Sequence, residues 1–108
     1  MTNTTFIEAY NRLHSTLKQY IPVVGRVHGP HHPEFHEVRV IYERIIAKIE
    51  ANPAETPDLA EEFSKLRAIS DNYAVPDDVC ETYEAVYNML SELDSVYMTQ
   101  AATMIRKQ

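Results

Sequence analysis

The most constraining feature of the sequence is an apolar stripe that recurs at steps of three and four residues in four successive segments. In the first segment the stripe consists of Phe6, Tyr10, Leu13, Leu17, Tyr20 and Val24. This spacing matches the period of an α-helix, and no stretch alternates with the period of two that is typical of a strand. We therefore predict an all-α fold, an antiparallel four-helix bundle that forms one domain over residues 1–108.

Capping and helix-breaking residues predict the limits of the first helix. Thr5 and Glu8 have the spacing of a capping box at its start. Pro22 predicts a kink or break over residues 18–22, because its ring clashes with the carbonyl group four residues back. Gly29 is expected to end the helix in the left-handed conformation that glycine adopts readily.

Prolines mark the other three helices. The second helix is expected to open at Pro33 and to stop at Asn52, the third to run from Thr56 to about Asn72, and the fourth to start at Pro76 and continue almost to the C-terminus. At 1.5 Å per residue, the roughly 30 residues of the fourth helix extend about 45 Å, farther than the third helix can cover. We expect its uncovered apolar end to bind a protein partner or a second copy of the chain, giving a homodimer.

The charge of the chain argues against several classes of function. Sixteen acidic residues oppose ten basic ones. Because the basic residues are scattered, no positive patch for nucleic acid or anionic lipid is expected. No apolar run reaches the ~20 residues that cross a bilayer, and the N-terminal segment lacks the pattern of a signal peptide, so we expect a cytoplasmic protein that does not bind membranes.

The sequence contains one cysteine and no evident catalytic group. Cys80 is expected to be a small packing residue, because no basic residue stands beside it in the sequence to stabilise a thiolate. No nucleophile adjoins a base, and neither a glycine-rich phosphate loop nor a pair of cysteines with zinc-ligand spacing occurs. These observations favour a protein that is not an enzyme.

Four of the five histidines lie in one segment of eleven residues, VHGPHHPEFHE, which begins at Val27. His32 and His36 are four residues apart on the predicted second helix, a spacing that brings two side chains to one helix face. His28 and Glu37 could approach from neighbouring turns, so these four residues are candidate ligands for iron or zinc. Alternatively, the histidines are polar surface residues at a corner between two helices with no cofactor, or they form a pH-sensitive contact.

Two stretches of the sequence resemble a known family. VHGPHHP, at residues 27–33, precedes an acidic and apolar helix, and LRAISDNYAVP, at residues 66–76, leads to CETY at Cys80 and VY at Val86. Over about residues 6–104 the chain resembles the di-iron iron–sulfur cluster repair (RIC) proteins. These are hemerythrin-like four-helix bundles that hold two irons through histidines and carboxylates. The resemblance implies a shortened hemerythrin-like bundle with a role in iron–sulfur or stress metabolism.

The resemblance also indicates where the iron ligands of the family would fall. The matched positions are occupied by Ile7, Asn52, Thr56 and the segment Gln100–Met104. None of them keeps a ligand, and aliphatic or thioether side chains do not replace the imidazoles and carboxylates that iron requires. We therefore expect a binding or regulatory protein that acts through surface contacts. The alternatives are a metal-binding protein that uses the relocated histidine cluster, and a dimeric structural adaptor.

Overall fold

Four α-helices make up most of the chain. The structure, a computed structural model, describes residues 5–106, with side chains up to residue 102. The helices are α1 (Phe6–His28), α2 (Glu34–Ala51), α3 (Ala60–Ser70) and α4 (Glu81–Arg106). No strand occurs within the described residues, which confirms the predicted all-α class. In that part of the chain no helix is both long and apolar enough to cross a membrane.

The first helix begins as predicted but does not break. The Thr5 side chain accepts a hydrogen bond from the backbone of Glu8, and the Glu8 carboxylate accepts one from the backbone of Thr5, as a capping box requires. Of the predicted kink or break at Pro22, the break is wrong, since α1 continues through it to His28, and a kink stays a prediction. Both Pro22 and Lys18 are exposed, so water can replace the hydrogen bond that the Lys18 carbonyl loses.

Two helices begin later than the sequence predicts. Pro33 does precede α2, as expected. However, α3 starts at Ala60 rather than near Thr56, and the Asp58 carboxylate accepts a hydrogen bond from the Ala60 amide at 3.1 Å. The start of α4 at Glu81 also follows the predicted Pro76, because the intervening residues form a loop that contacts the turn between α1 and α2.

The predicted apolar stripes meet in one hydrophobic core. It contains buried residues from all four helices, among them Phe6, Leu17, Ile21, Phe35, Ile45, Phe63, Leu66, Tyr83, Val86, Leu90 and Leu93. Aromatic rings close both ends of this core. The rings of Phe6 and Tyr97 lie 5.7 Å apart at one end, and those of Tyr83 and Tyr87 lie 4.8 Å apart at the other.

The longest helices, α1 and α4, pack against each other. The Phe6 amide donates a 2.8 Å hydrogen bond to Gln100, and His28 contacts Cys80, so the start of α1 lies beside the last turns of α4. The 26 residues of α4 span about 39 Å, and the 23 of α1 span about 35 Å, so α1 covers most of its length. Met98 is 49% exposed on α4. The side chain of Met104 lies outside the described residues, and self-association through α4 stays a prediction.

The loop between α3 and α4 is held by a buried polar network. Three consecutive residues, Asp71, Asn72 and Tyr73, have φ values of 54°, 59° and 64°. This left-handed conformation costs roughly 1–2 kcal/mol per non-glycine residue. The Tyr73 hydroxyl donates to Asp94 at 2.8 Å, and Arg67 donates to both oxygens of the same carboxylate at 2.6 and 2.7 Å. The network thereby fixes the loop that leads to Cys80.

Candidate functional site

The turn between α1 and α2 meets the loop before α4 through two side-chain contacts. Nε2 of His28 lies 3.2 Å from Sγ of Cys80, and Nε2 of His32 lies 2.9 Å from Oδ1 of Asp78. The first contact joins residues 52 positions apart in the sequence. The site therefore exists only in the folded chain, where α1 and α4 are packed side by side.

Cys80 occupies the position immediately before α4. Its carbonyl oxygen accepts a 3.2 Å hydrogen bond from the Glu84 amide, the first bond of that helix. The backbone amides of Tyr83 and Thr82, in the first turn of α4, act on the sulfur and lower the pKa of the Cys80 thiol. These are amides that an intrahelical carbonyl cannot satisfy, and the positive end of the helix dipole adds to their effect. The side chain is exposed. Its sulfur can therefore be reached from solvent.

The surroundings of Cys80 favour a thiolate. The backbone amide of Tyr83, the His28 imidazole and the Thr82 amide lower the pKa of the Cys80 thiol to about 7, against a smaller opposing effect of burial. At pH 7 such a thiol is about half ionised, whereas an ordinary cysteine with a pKa of about 8.5 is roughly 3% ionised. The nucleophilic form is thus abundant near neutral pH.

His32 makes the second contact between the two segments. Its Nε2 faces Asp78 at 2.9 Å and its Nδ1 faces Glu34 at 3.1 Å. The hydrogen bond with Asp78, supported by the one with Glu34, raises the pKa of His32 above its usual 6.5. The same contact lowers the pKa of Asp78. His32 therefore holds a proton more readily than an isolated histidine does.

The buried ring of Tyr83 packs against the imidazoles of both His28 and His32. The ring centroid of Tyr83 lies 5.6 Å from that of His28 and 5.7 Å from that of His32, in edge-to-face arrangements. Tyr83 is fully buried, and its hydroxyl donates to Tyr87 at 3.1 Å. Burial raises the pKa of Tyr83, so the ring stays neutral. Its role is to hold the two histidines in position.

The four candidate metal ligands do not share one set of contacts. His28 pairs with Cys80, and His32 pairs with Asp78 and Glu34. His36 and Glu37 are exposed and line a groove between α2 and α3. Within the side chains that the structure describes, no group of three or more histidines, cysteines or carboxylates is arranged to hold a metal ion. Iron or zinc binding by His28, His32, His36 and Glu37 stays a prediction.

Gly29 has a role that the sequence did not indicate. The prediction of a left-handed cap is wrong, because Gly29 has φ −53° and ψ −40°, which are right-handed helical values. A methyl group at this position would lie 2.7 Å from Nε2 of His36 and would also collide with the carbonyl of Gly25. Glycine is therefore required here by close packing of the turn against α2.

Two expectations about Cys80 are also wrong. The residue is exposed rather than packed in the core, and a base, His28, does lie beside it. The residues near Cys80 in the sequence could not reveal this base, because His28 lies at the end of α1 and meets Cys80 only where α1 packs against α4. The available signal was the position of Cys80, four residues after Pro76 and directly before a helix.

Some positions matched to the iron ligands of the RIC family lie together at the opposite end of the protein. Gln100 accepts a 2.8 Å hydrogen bond from the Phe6 amide and donates a 2.9 Å hydrogen bond to the Thr56 hydroxyl. Ile7 is half-buried beside this network and packs against the core. The polar atoms of Gln100 therefore have hydrogen-bond partners in the Phe6 amide and the Thr56 hydroxyl.

Comparisons of the chain with family models, with curated proteins and with solved structures found no match in any of the three. The resemblance to the RIC family therefore stays a prediction based on the sequence stretches quoted above.

Proposed function

We propose that the protein is a small regulatory protein whose functional group is the Cys80 thiolate, which exchanges reversibly with low-molecular-weight disulfides. The observation that carries this proposal is the 3.2 Å contact between Cys80 Sγ and His28 Nε2 at the N-terminus of α4. An exposed thiolate beside a histidine and a helix N-terminus is the environment in which cysteines become reactive.

The exchange needs no second nucleophile from the protein. The Cys80 thiolate attacks one sulfur of a disulfide, a new sulfur–sulfur bond forms, and the other sulfur leaves as a thiolate. A protonated His28 can give its proton to that leaving thiolate. Because Cys80 is the single cysteine of the sequence, no internal disulfide can follow. An external thiol must reverse the step, which makes the mixed disulfide a signal of the redox state.

Regulation is favoured over enzymatic turnover by the surroundings of His28. In a catalytic triad, a third group orients the base through its second ring nitrogen. Among the described residues, the His28 ring makes one hydrogen bond, to Cys80. A group attached to Cys80 would break the contact between Cys80 and His28 and would remove the thiolate from the N-terminus of α4. This change would weaken the packing of the N-terminus of α4 against the turn that follows α1.

Mixed-disulfide formation tests this proposal. Hydroxyethyl disulfide, a neutral probe, should add one thioethanol group per chain to wild type at pH 7, and a thiol should remove it. C80S should show no adduct, and H28Q should react more slowly. H31Q is the matched control, because His31 is exposed in the same turn and makes no hydrogen bond to Cys80. Equal rates for wild type, H28Q and a denatured sample would refute the proposal.

The sequence resemblance suggests a cellular role for this thiol. We infer an antiparallel, shortened hemerythrin-like bundle that acts with a protein partner in iron–sulfur or stress metabolism, without di-iron chemistry of its own. The hydrogen bonds of Gln100 with Phe6 and Thr56 support this inference, because they use the polar atoms at positions where ligands would be needed. Anaerobic purification followed by iron analysis is the test, and two irons per chain would contradict the inference.

A metal site is the second candidate function. One observation favours it, since the sulfur of Cys80 and Nε2 of His28 are both good zinc ligands and already face each other. The notion that His28, His32, His36 and Glu37 bind zinc or iron is tested by titrating each metal into wild type and into the double variant H32A/H36A. Equal, weak binding by the two proteins would leave this second function without support.

A further inference from the structure

An open groove lies between α2 and α3, away from Cys80. Its volume is about 490 Å³, within the range of roughly 300–1,000 Å³ that small-molecule sites occupy. The apolar part of the lining comes from Val40, Ile41, Ala68 and Ile69. Val40 is 48% exposed, so its side chain adds apolar surface to the groove.

The two ends of the groove differ in charge. Arg44 and Lys65 stand at one end, and Glu37 stands two turns away at the other. Lys65 already pairs with Glu61 at 3.0 Å. Arg44, in contrast, forms no hydrogen bond and no ion pair within 4 Å in the described part of the chain, and its charge acts on Glu61 only from farther away. It is therefore a guanidinium with its donors available, beside an apolar surface.

Two other cationic side chains of α2, unlike Arg44, form ion pairs with acidic residues. Arg39 pairs with Glu43 at 3.4 Å, and Lys48 pairs with the buried Glu62 at 2.9 Å. Both are thus neutralised within the protein. In a chain with a formal charge of −6, an unpaired arginine at the end of an apolar groove favours a ligand that carries its own negative charge.

We propose that this groove binds a small amphiphilic monocarboxylate, with its apolar body over Val40, Ile41 and Ile69 and its carboxylate on Arg44. The guanidinium offers the planar pair of donors that a carboxylate accepts. From His36 to Arg44 the helix rises about 12 Å, which suits a chain of eight or so carbons. Glu37 repels a second negative charge at the far end, so the groove selects one carboxylate over two.

Three probes of equal chain length test the proposal by calorimetric titration. Octanoate should bind saturably, and octanedioate more weakly because its second carboxylate meets Glu37. Octanamide, which is neutral and gives Arg44 no charge to attract, should also bind more weakly than octanoate. R44Q should weaken octanoate binding roughly tenfold, the loss of about 1.4 kcal/mol of binding free energy. E37Q should reduce the preference for octanoate over octanedioate.

Two control variants locate the ligand and separate this site from the thiol. R39Q should bind octanoate like wild type, since Arg39 lines another groove and pairs with Glu43. C80S should also bind like wild type, so failure of the thiol proposal leaves this one standing. Circular dichroism checks that each variant is folded. The inference is overturned by unsaturable binding of octanoate, by equal affinity for octanamide, or by unchanged affinity in folded R44Q.

Discussion

Nε2 of His32 lies 2.9 Å from Oδ1 of Asp78, and this contact joins the turn after α1 to the loop before α4. The carboxylate is on an exposed loop, whereas the imidazole is 15% exposed and rests on Tyr83. Because the contact lies next to Cys80 and His28, it holds together the two segments that form the candidate site.

The stability of the protein should depend on pH through His32. Its folded-state pKa is raised above the 6.5 of the unfolded chain, so its contribution is fully present below pH 6.5 and is lost as pH rises through the folded-state pKa. Asp78 has a lowered pKa, so its contribution is present above its unfolded value of 3.8 and is lost at lower pH. Both contributions are therefore present between about pH 4 and 6.5.

Urea unfolding at pH 5.5 and pH 8.5 measures this effect. H32Q should be less stable than wild type at pH 5.5, and the difference should shrink at pH 8.5. H31Q, which changes an exposed histidine in the same turn, should keep the wild-type dependence. A difference between wild type and H32Q that grows as pH rises would contradict the assignment.

Removing the Asp94 carboxylate should destabilise the protein by about 2–3 kcal/mol in D94A, because the Arg67 guanidinium and the Tyr73 hydroxyl both lose their acceptor. The cost is below that of a fully buried pair, since Arg67 is 33% exposed. Y73F, which removes one hydrogen bond, should cost about 1 kcal/mol. Chemical denaturation gives both values, and a D94A variant as stable as Y73F would contradict the role of the carboxylate.

The two glycines should respond in opposite ways to alanine. Gly25 lies within α1, and an added methyl group would meet Phe35 at an ordinary 3.9 Å, so G25A should stabilise the helix by about 0.5–1 kcal/mol. In G29A the methyl group would collide with the Gly25 carbonyl and with His36, so about 1–2 kcal/mol should be lost. Thermal unfolding of the two variants provides the comparison. A stabilised G29A would mean that the close packing of the turn is not required.

The sequence allowed the helices and the core to be predicted because these depend on periodic spacing and local caps. Phe6, Phe35 and Tyr83 all lie on predicted stripes and are fully buried. The effect of Pro22 could not be judged, because it depends on which side of α1 faces solvent. The start of α4 was misplaced for a similar reason, since Asp78 is held by His32 from another turn.

The candidate site was predicted only in part. The histidine segment was proposed as a set of metal ligands, which stays a prediction, and the contacts of His28 and His32 with Cys80 and Asp78 depend on how α1 and α4 pack. A thiol looks isolated when only its neighbours in the sequence are known. The resemblance to the RIC family directed attention to iron ligands, whereas the thiol that we propose as the functional group lies in the Cys80 stretch that carried part of that resemblance.

The central claim is that folding places His28 and the N-terminus of α4 around Cys80 and so stabilises its thiolate. Ultraviolet absorbance of the thiolate, followed from pH 5 to about 9 in wild type and H28Q with the C80S signal subtracted, gives the pKa of the thiol. A pKa is more decisive than a rate at pH 7, because a lower pKa also makes the thiolate a weaker nucleophile.

We expect a transition near pH 7 in wild type and a higher pKa in folded H28Q, each measured as the difference from C80S. H31Q should titrate like wild type. A wild-type pKa of about 8.5, the value of a free cysteine, or the same pKa in wild type and H28Q would contradict the central claim.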